Sequence, residues 1–382
     1  MCLSPKNQFQ FQPIIVVTLR TVEFMEKRKK HFEKPLIIAG PCSAENEQQM
    51  LETAAGINPE YVKIFRAGIW KPRTKPNSFE GVGAVGLKWL QKVKQEFGFK
   101  TAVEVANSQH VKLALDHDVD VLWIGARSTV NPFTVQEIAE ALRDTEKMII
   151  VKNPVNPDLE LWIGTVERLR AQNIQNIAAI HRGFSTYKKT KYRNNPQWQI
   201  AFDFMNRMPE IPLICDPSHI SGKREGIFEI AQMAFNFEYD GLMIETHCNP
   251  DCALSDARQQ VTPARLNEIL ADLELRKPDD CDSVYHSNLS RLRDEIDETD
   301  MMILDSISQR MSISARIGEL KKEHNVAIFQ IERWNQIRKQ AVERGAEFGL
   351  SEEFIENLLK AIHQESINQQ SKVMNKNHIS SE

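Results

Sequence analysis

The 382-residue sequence predicts an α/β fold: a closed (β/α)8 TIM barrel followed by a small all-α, three-helix domain. Three observations carry this. Eight short apolar runs recur between residues 36 and 244. Segments of helical periodicity separate them, which is the pattern of βαβ units and a parallel sheet. Beyond residue 288 there is no strand signal and no proline, and apolar residues fall on a helical stripe.

The first 33 residues form an N-terminal extension with a basic run, Lys27 to Lys30, at its end. The eight runs follow: Leu36–Ala39, Tyr61–Phe65, Thr101–Val105, Val121–Ile124, Met148–Val151, Ile177–Ile180, Pro212–Cys215 and Gly241–Ile244. Between them lie helical segments such as Val82–Phe97 and Gly226–Phe237. Eight units fit a closed barrel over 34–276. A doubly wound open sheet fits less well, because no G-x-G-x-x-G follows the first run. Residues 277–288, polar and containing Pro278, read as a linker. In the helical domain, 289–376, one stripe carries Leu289, Leu292, Ile296, Ile303, Ile307 and Met311. Two more helices are expected near Ile328–Arg344 and Ser351–Met374, with Gly345, Gly349 and Ser351 breaking the chain between them.

Composition narrows the function. At 41% hydrophobic and 26% charged residues, the chain can bury a large core and is too apolar for disorder. A net charge of −4 lacks the basic surplus that marks a nucleic-acid partner. No apolar run reaches the roughly 18 residues of a membrane span, so no membrane partner is expected. There are six cysteines and no secretory signal, which suggests a reducing, cytoplasmic setting rather than disulfides. Cys248 and Cys252 lack the second pair that a structural zinc site needs.

A parallel barrel places its active site at the C-terminal ends of the strands. Gly40-Pro41-Cys42-Ser43 follows run one, Asp216-Pro217-Ser218-His219 follows run seven, and Glu245 and Asp256 follow run eight. Those strands are neighbours once a barrel closes, so Cys42, His219, Glu245 and Asp256 converge. A thiolate, an imidazole and two carboxylates suit one divalent ion such as Mn, Fe, Co or Zn. The other sector carries cations: Arg66, Lys71 and Arg73 after run two, then Arg127, Lys152 and Arg182. Six inward cations repel unless anions neutralise them, which predicts more than one phosphorylated ligand.

GPCS at 40–43, KPRT at 71–74, GAR at 125–127, HRG at 181–183, DPSH at 216–219 and LSD at 254–256 stand in one order. Together they resemble the 3-deoxy-D-arabino-heptulosonate 7-phosphate synthases, which join phosphoenolpyruvate to erythrose 4-phosphate and open the shikimate pathway. The resemblance implies that Arg66, Lys71, Arg127, Lys152 and Arg182 hold phosphoenolpyruvate. It gives Arg73, Thr74 and Arg127 to the sugar phosphate, and Cys42, His219, Glu245 and Asp256 to the metal. Lys71 is a candidate proton donor to the new alkoxide. The sister 3-deoxy-manno-octulosonate 8-phosphate synthases, with a different signature at KPRT, are the alternative.

In the tail, Arg310 and Lys321 are about 20° apart around a helix and roughly 16 Å along it, whereas Arg293 points about 100° away. Ser366 and Gln370 form an i,i+4 pair. From spacing alone, a charged helical bundle used only for dimerisation fits better than a ligand site, and a non-catalytic dimerisation and regulatory module is the alternative. Residues 289 to about 374 resemble the all-helical chorismate mutases, in which two subunits interlock. The resemblance gives ligand roles to Arg293, Arg310, Lys321, Arg333, Ser366 and Gln370, with Arg293 reaching the partner's site. Gln330 and Trp334 depart from that family's acidic residues. Trp334 cannot accept a hydrogen bond as a carboxylate does, which implies a weaker mutase or a hydroxyl contact from Gln330 or water. The extension is too short for a regulatory domain, so the tail is the expected allosteric element and prephenate its expected feedback inhibitor. A homodimer or larger homo-oligomer through the helical domain completes the expectation.

Overall fold

The structure is a computed structural model and describes residues 31–71, 79–187, 190–277 and 282–375. The chain divides into two compact units between residues 278 and 279.

In the first unit eight parallel strands close a barrel in sequence order. They are β1 (Leu36–Gly40), β2 (Ile64–Arg66), β3 (Lys100–Val105), β4 (Val121–Ile124), β5 (Met148–Lys152), β6 (Ile177–His181), β7 (Leu213–Cys215) and β8 (Gly241–Glu245). All eight expected runs became strands. The second starts three residues later than expected, because the amides of Tyr61 and Val62 donate to Asn58 O in a turn. Closure pairs β1 with β8 over five residues, ending at Gly40 opposite Glu245.

Side chains of a strand alternate between two faces. Ile38, Ile64, Ala102, Val121, Trp123, Ile150, Ala178, Ile180, Ile214 and Met243 fill the barrel interior. Their neighbours, such as Ile37, Leu122, Ile149 and Leu242, join the larger layer beneath the helices. The helices begin where the sequence supplies caps: Asn107 accepts from the His110 amide and Asp158 from that of Leu161.

The second unit has three helices, Ser283–Glu323, Ile331–Glu347 and Glu352–Asn375. The first begins inside the expected linker. Asp282 caps it by accepting from the Val284 amide, and no glycine or proline in 283–288 stops propagation. Gly345 does not break the chain. It lies buried in the second helix, where a Cβ would meet Ile355 Cγ1 at 2.6 Å, and the turn is made at Gly349 with φ +73°. The helical stripe is not a core within one chain: Leu292, Ile296 and Ile303 are about half exposed. Among the described residues no helix is long and apolar enough to cross a membrane. Cys42, Cys215, Cys248 and Cys252 are free thiols.

Candidate functional site

Alternation that fills the barrel with aliphatic groups places charge one layer higher. Arg66, Glu104, Lys152, Arg182, Asp216 and Glu245 each stand two residues beyond an interior residue of their strand. They are three cations and three carboxylates. Part of the repulsion expected among the cations is therefore relieved inside the protein, where Arg66 and Lys152 meet carboxylates.

The pairs are specific. Arg66 Nη1 donates to Glu245 Oε1 at 3.0 Å, both groups being almost fully buried, and its Nη2 donates to Cys42 O at 3.0 Å. Lys152 Nζ reaches Asp216 Oδ2 at 2.9 Å. Arg182 Nη1 donates to Asn194 Oδ1 at 2.9 Å. Desolvation pushes its guanidinium down to about 10, partly offset by Asp216 and reinforced by Arg193 and Arg127, so it stays charged at neutral pH. Burial opposes ionisation of Asp216, yet His219 and Lys152 hold that carboxyl well below its ordinary range.

The thiol sector is built on a tight turn. Gly40 has φ +148°, and a Cβ there would lie 2.1 Å from Arg66 O, so only glycine lets the ends of β1 and β2 meet. The chain then turns Cys42 inward, its amide bonded to Gln260 Oε1 at 2.8 Å. Ligand atoms of Cys42, Glu245 and Asp256 lie within 4.8 Å of one another. Gln259 Nε2 donates to Glu245 Oε2 at 2.6 Å, and Arg193 Nη1 lies 3.1 Å from Asp256 Oδ1. Asp256 takes left-handed backbone, φ +49°, which aims its carboxylate back at the thiol.

His219 stands beside this triad rather than in it. Its Nε2 is 3.8 Å from Glu245 Oε1, and its Nδ1 is 2.8 Å from Asp216 Oδ2 without hydrogen-bond alignment. Burial outweighs both carboxylates and lowers its pKa, which favours the neutral, ligating imidazole. Burial, then the charge of Glu245, pushes the Cys42 thiol up to about 11 against the pull of Lys71, whose Nζ is 3.0 Å from Sγ. A thiol so disfavoured as an anion is a poor free nucleophile but a fitting soft donor once a cation takes the proton's place. The donor set fits a divalent transition metal.

Of the other expected residues, Lys71 joins the thiol, and Arg127 sits exposed on the short helix Ala126–Thr129 after β4. Arg73 and Thr74 lie outside the described residues. In the tail, Arg310 Nη1 donates to Ser366 Oγ, and Gln370 lies buried one turn on with Oε1 unpartnered. Burial lowers the pKa of both Arg310 and Lys321, and Lys321 Nζ donates to Ile328 O. A groove of about 340 Å³ lies beside Arg310, lined by Met302, Ile303, Leu358 and Ile362. Arg293 and Arg333 are exposed and stay outside this cluster, Arg333 donating to Gln336 Oε1 at 2.8 Å. Gln330 is exposed at the start of the second helix, and the Trp334 ring lies 4.3 Å from that of His363.

Sequence reasoning passed over Glu104, Trp123, Arg193, Gln259 and Gln260. Counting two residues on from Ala102 and Val121 would have found the first two. The others lie on loops whose side-chain directions no periodicity gives.

A closed barrel whose mouth alternates guanidinium, ammonium and carboxylate around a metal-suited thiol defines a class: barrel enzymes acting on small anionic substrates. The chain belongs to the DAHP synthetase I family, whose signature matches residues 27–277. Residues 292–371 match chorismate mutase type II. Over 238 residues the chain is 28% identical to phospho-2-dehydro-3-deoxyheptonate aldolase of Thermotoga maritima, covering 62% of this chain and 68% of that protein. It is 28% identical over 268 residues to 2-dehydro-3-deoxyphosphooctonate aldolase of Helicobacter pylori, covering 63% and 94%. A crystal structure of the Thermotoga maritima aldolase, a DAHP synthase, superposes with a TM-score of 0.56 at 26% identity, over 63% of this chain and 68% of that one. The two domains support both activities, synthesis of 3-deoxy-D-arabino-heptulosonate 7-phosphate and rearrangement of chorismate to prephenate.

Proposed function

We propose that the barrel mouth condenses phosphoenolpyruvate with erythrose 4-phosphate in a metal-dependent reaction. The observation that carries this reading is the Cys42–Glu245–Asp256 cluster, with Cys42 and Glu245 buried and Asp256 half-buried, set against Lys71 and the Arg66 and Lys152 ion pairs. Arg66, Lys152, Arg182 and Arg127 would hold phosphoenolpyruvate by its carboxylate and phosphate, with bidentate guanidinium contacts. Arg73 and Thr74, with Arg127, would receive the sugar phosphate. Cys42, His219, Glu245 and Asp256 would hold one divalent ion (Mn, Fe, Co or Zn), which when bound supplies Lewis-acid polarisation of the aldehyde.

The enol carbon bonds to the aldehyde carbon, and Lys71 gives a proton to the oxygen that becomes an alkoxide. Water adds at C2 of the former phosphoenolpyruvate, and the C2–O bond to phosphate then breaks. The fixed, buried cations orient the two anions without reorganising during the step. Metal-free protein with full synthase activity would refute the metal requirement. Supplying arabinose 5-phosphate in place of erythrose 4-phosphate discriminates the octulosonate reading, and use of the pentose alone would establish it instead.

In the tail, Arg310, Lys321, Ser366 and Gln370 would bind chorismate, with Arg333 and Gln330 closing over it and Arg293 supplied by a second subunit. Exposed Leu292, Ile296, Met302, Ile303, Phe329 and Ile331 support a homodimer or larger assembly that buries this stripe. Prephenate bound there would lower synthase activity, with coupling of about 1–3 kcal/mol typical of such linkage. Truncation after Arg276 should leave a synthase that prephenate no longer inhibits, and undiminished inhibition would rule out a regulatory tail. Four free thiols among the described cysteines support a cytoplasmic location.

A further inference from the structure

Among the described residues Trp123 is the one aromatic side chain in the barrel interior, and it is fully buried. It stands on β4 with its ring directed inward. The Arg66 guanidinium, from β2, lies 4.8 Å from the ring centre, and Lys152 Nζ, from β5, lies 5.9 Å from it. The indole Nε1–H donates to Glu104 Oε2, on β3, at 3.2 Å. The other oxygen of Glu104 fills the place a Cβ on Gly125 would take, 2.0 Å away. One ring therefore touches charged groups from three strands besides its own.

The face of an indole is negative and its N–H edge positive. Cations above the face and a carboxylate at the edge are the arrangement this quadrupole favours. Arg66 needs such a partner. Its Nη1 and Nη2 are taken by Glu245 and Cys42 O, while Nε is buried with no hydrogen-bond acceptor. Two contacts at one end leave the guanidinium plane free to tilt, and the ring beneath removes that freedom. The same ring lies within reach of Lys152, so two like charges share one polarisable floor. Small neighbours, Ala102 on β3 and Ala178 on β6, leave the interior room for it.

We propose, resting on the assignment of Arg66 and Lys152 to phosphoenolpyruvate, that Trp123 is a positioning residue that holds both cations ready for that anion, so its loss weakens phosphoenolpyruvate binding far more than erythrose 4-phosphate binding. Trp123→Phe keeps the π face and loses the N–H; Trp123→Leu loses both. The full-length, metal-loaded enzyme is assayed with each substrate varied.

In Trp123→Leu the KM for phosphoenolpyruvate should rise roughly tenfold, the size of a desolvated cation–π contact, while that for erythrose 4-phosphate moves less than about threefold. Trp123→Phe should stay within about threefold of wild type for both. Phosphoenolpyruvate should also change the tryptophan emission of the wild type by a component that Trp123→Phe lacks. An identical emission change in Trp123→Phe overturns the proposal, even if Trp123→Leu fails to fold. So does an unchanged phosphoenolpyruvate KM in folded Trp123→Leu when Lys152→Met raises it. If Lys152→Met also leaves that KM unchanged, the assignment of these cations to phosphoenolpyruvate is wrong, and the role of Trp123 falls with it.

Discussion

Replacing Arg66 by Met strands the Glu245 carboxylate at 0% exposure with its 3.0 Å cationic partner gone. It also strips Cys42 O of its donor. Breaking a buried pair from one side costs about 3–5 kcal/mol, because the remaining charge is neither paired nor solvated. For a domain of this size that is a fall in Tm of about 6–20 °C, at roughly 2–4 °C per kcal/mol. The double variant Arg66→Met/Glu245→Gln removes the stranded charge, and Gln259 can still donate to the amide oxygen at 245. It should regain more than half of the loss, a coupling of about 2 kcal/mol or more. The assay is thermal melting of the barrel transition with chelator present, so that no divalent ion substitutes for the guanidinium. Adding metal back should raise the single variant more than the double, since only the single keeps the carboxylate. Both variants should be inactive as synthases. Equal melting temperatures for single and double would refute the reasoning, because the cost would then come from lost packing and not from an unpaired charge.

Cys42→Ala or His219→Ala should abolish synthase turnover while leaving chorismate mutase turnover and the fold intact. Chelator should do the same to the wild type, reversed by a divalent metal, and retained synthase activity in either variant would remove that residue from the metal site. Arg310→Ala should abolish prephenate formation and prephenate inhibition together while basal synthase activity persists, as measured by separate assays on one preparation. At the base of the barrel, Lys147 and Lys94 hold the Asp118 carboxyl at about 2. Its contribution to stability is present above its ordinary value of 3.8 and is lost as pH falls towards 2. Urea unfolding should therefore find Asp118→Asn less stable than wild type at neutral pH, with the gap closing as pH falls through 2; a gap undiminished in acid would contradict the ion pairs.

Much was legible in the sequence because it is local. A strand's alternation and a helix's periodicity are properties of consecutive residues, so the eight runs and the three tail helices could be read directly. The same alternation sets Arg66, Lys152 and Glu245 one layer above Ile64, Ile150 and Met243. Six ordered motifs supplied the family resemblance. Asp282 carried the cap of the first tail helix, but Pro278 and the polar residues around it masked that signal as a linker.

What tertiary structure decided is which group meets which. Closure brings Gly40 opposite Glu245, and only then does Arg66 find a carboxylate, Cys42 find Lys71, and Asp256 find Arg193. Two of the expected cations, Arg66 and Lys152, thus became members of buried ion pairs. Trp123 reads in sequence as one more apolar strand residue, and becomes a floor for two charges only when β2, β3 and β5 surround it. The tail stripe could be read as one helical face, yet within one chain only part of it is covered: Ile307 and Met311 are half-buried beside the third helix, while Leu292, Ile296 and Ile303 stay about half exposed. The reason is common to all of these: periodicity fixes the direction of a side chain relative to its own backbone, whereas charge pairing and burial depend on distances that exist only after remote segments have packed.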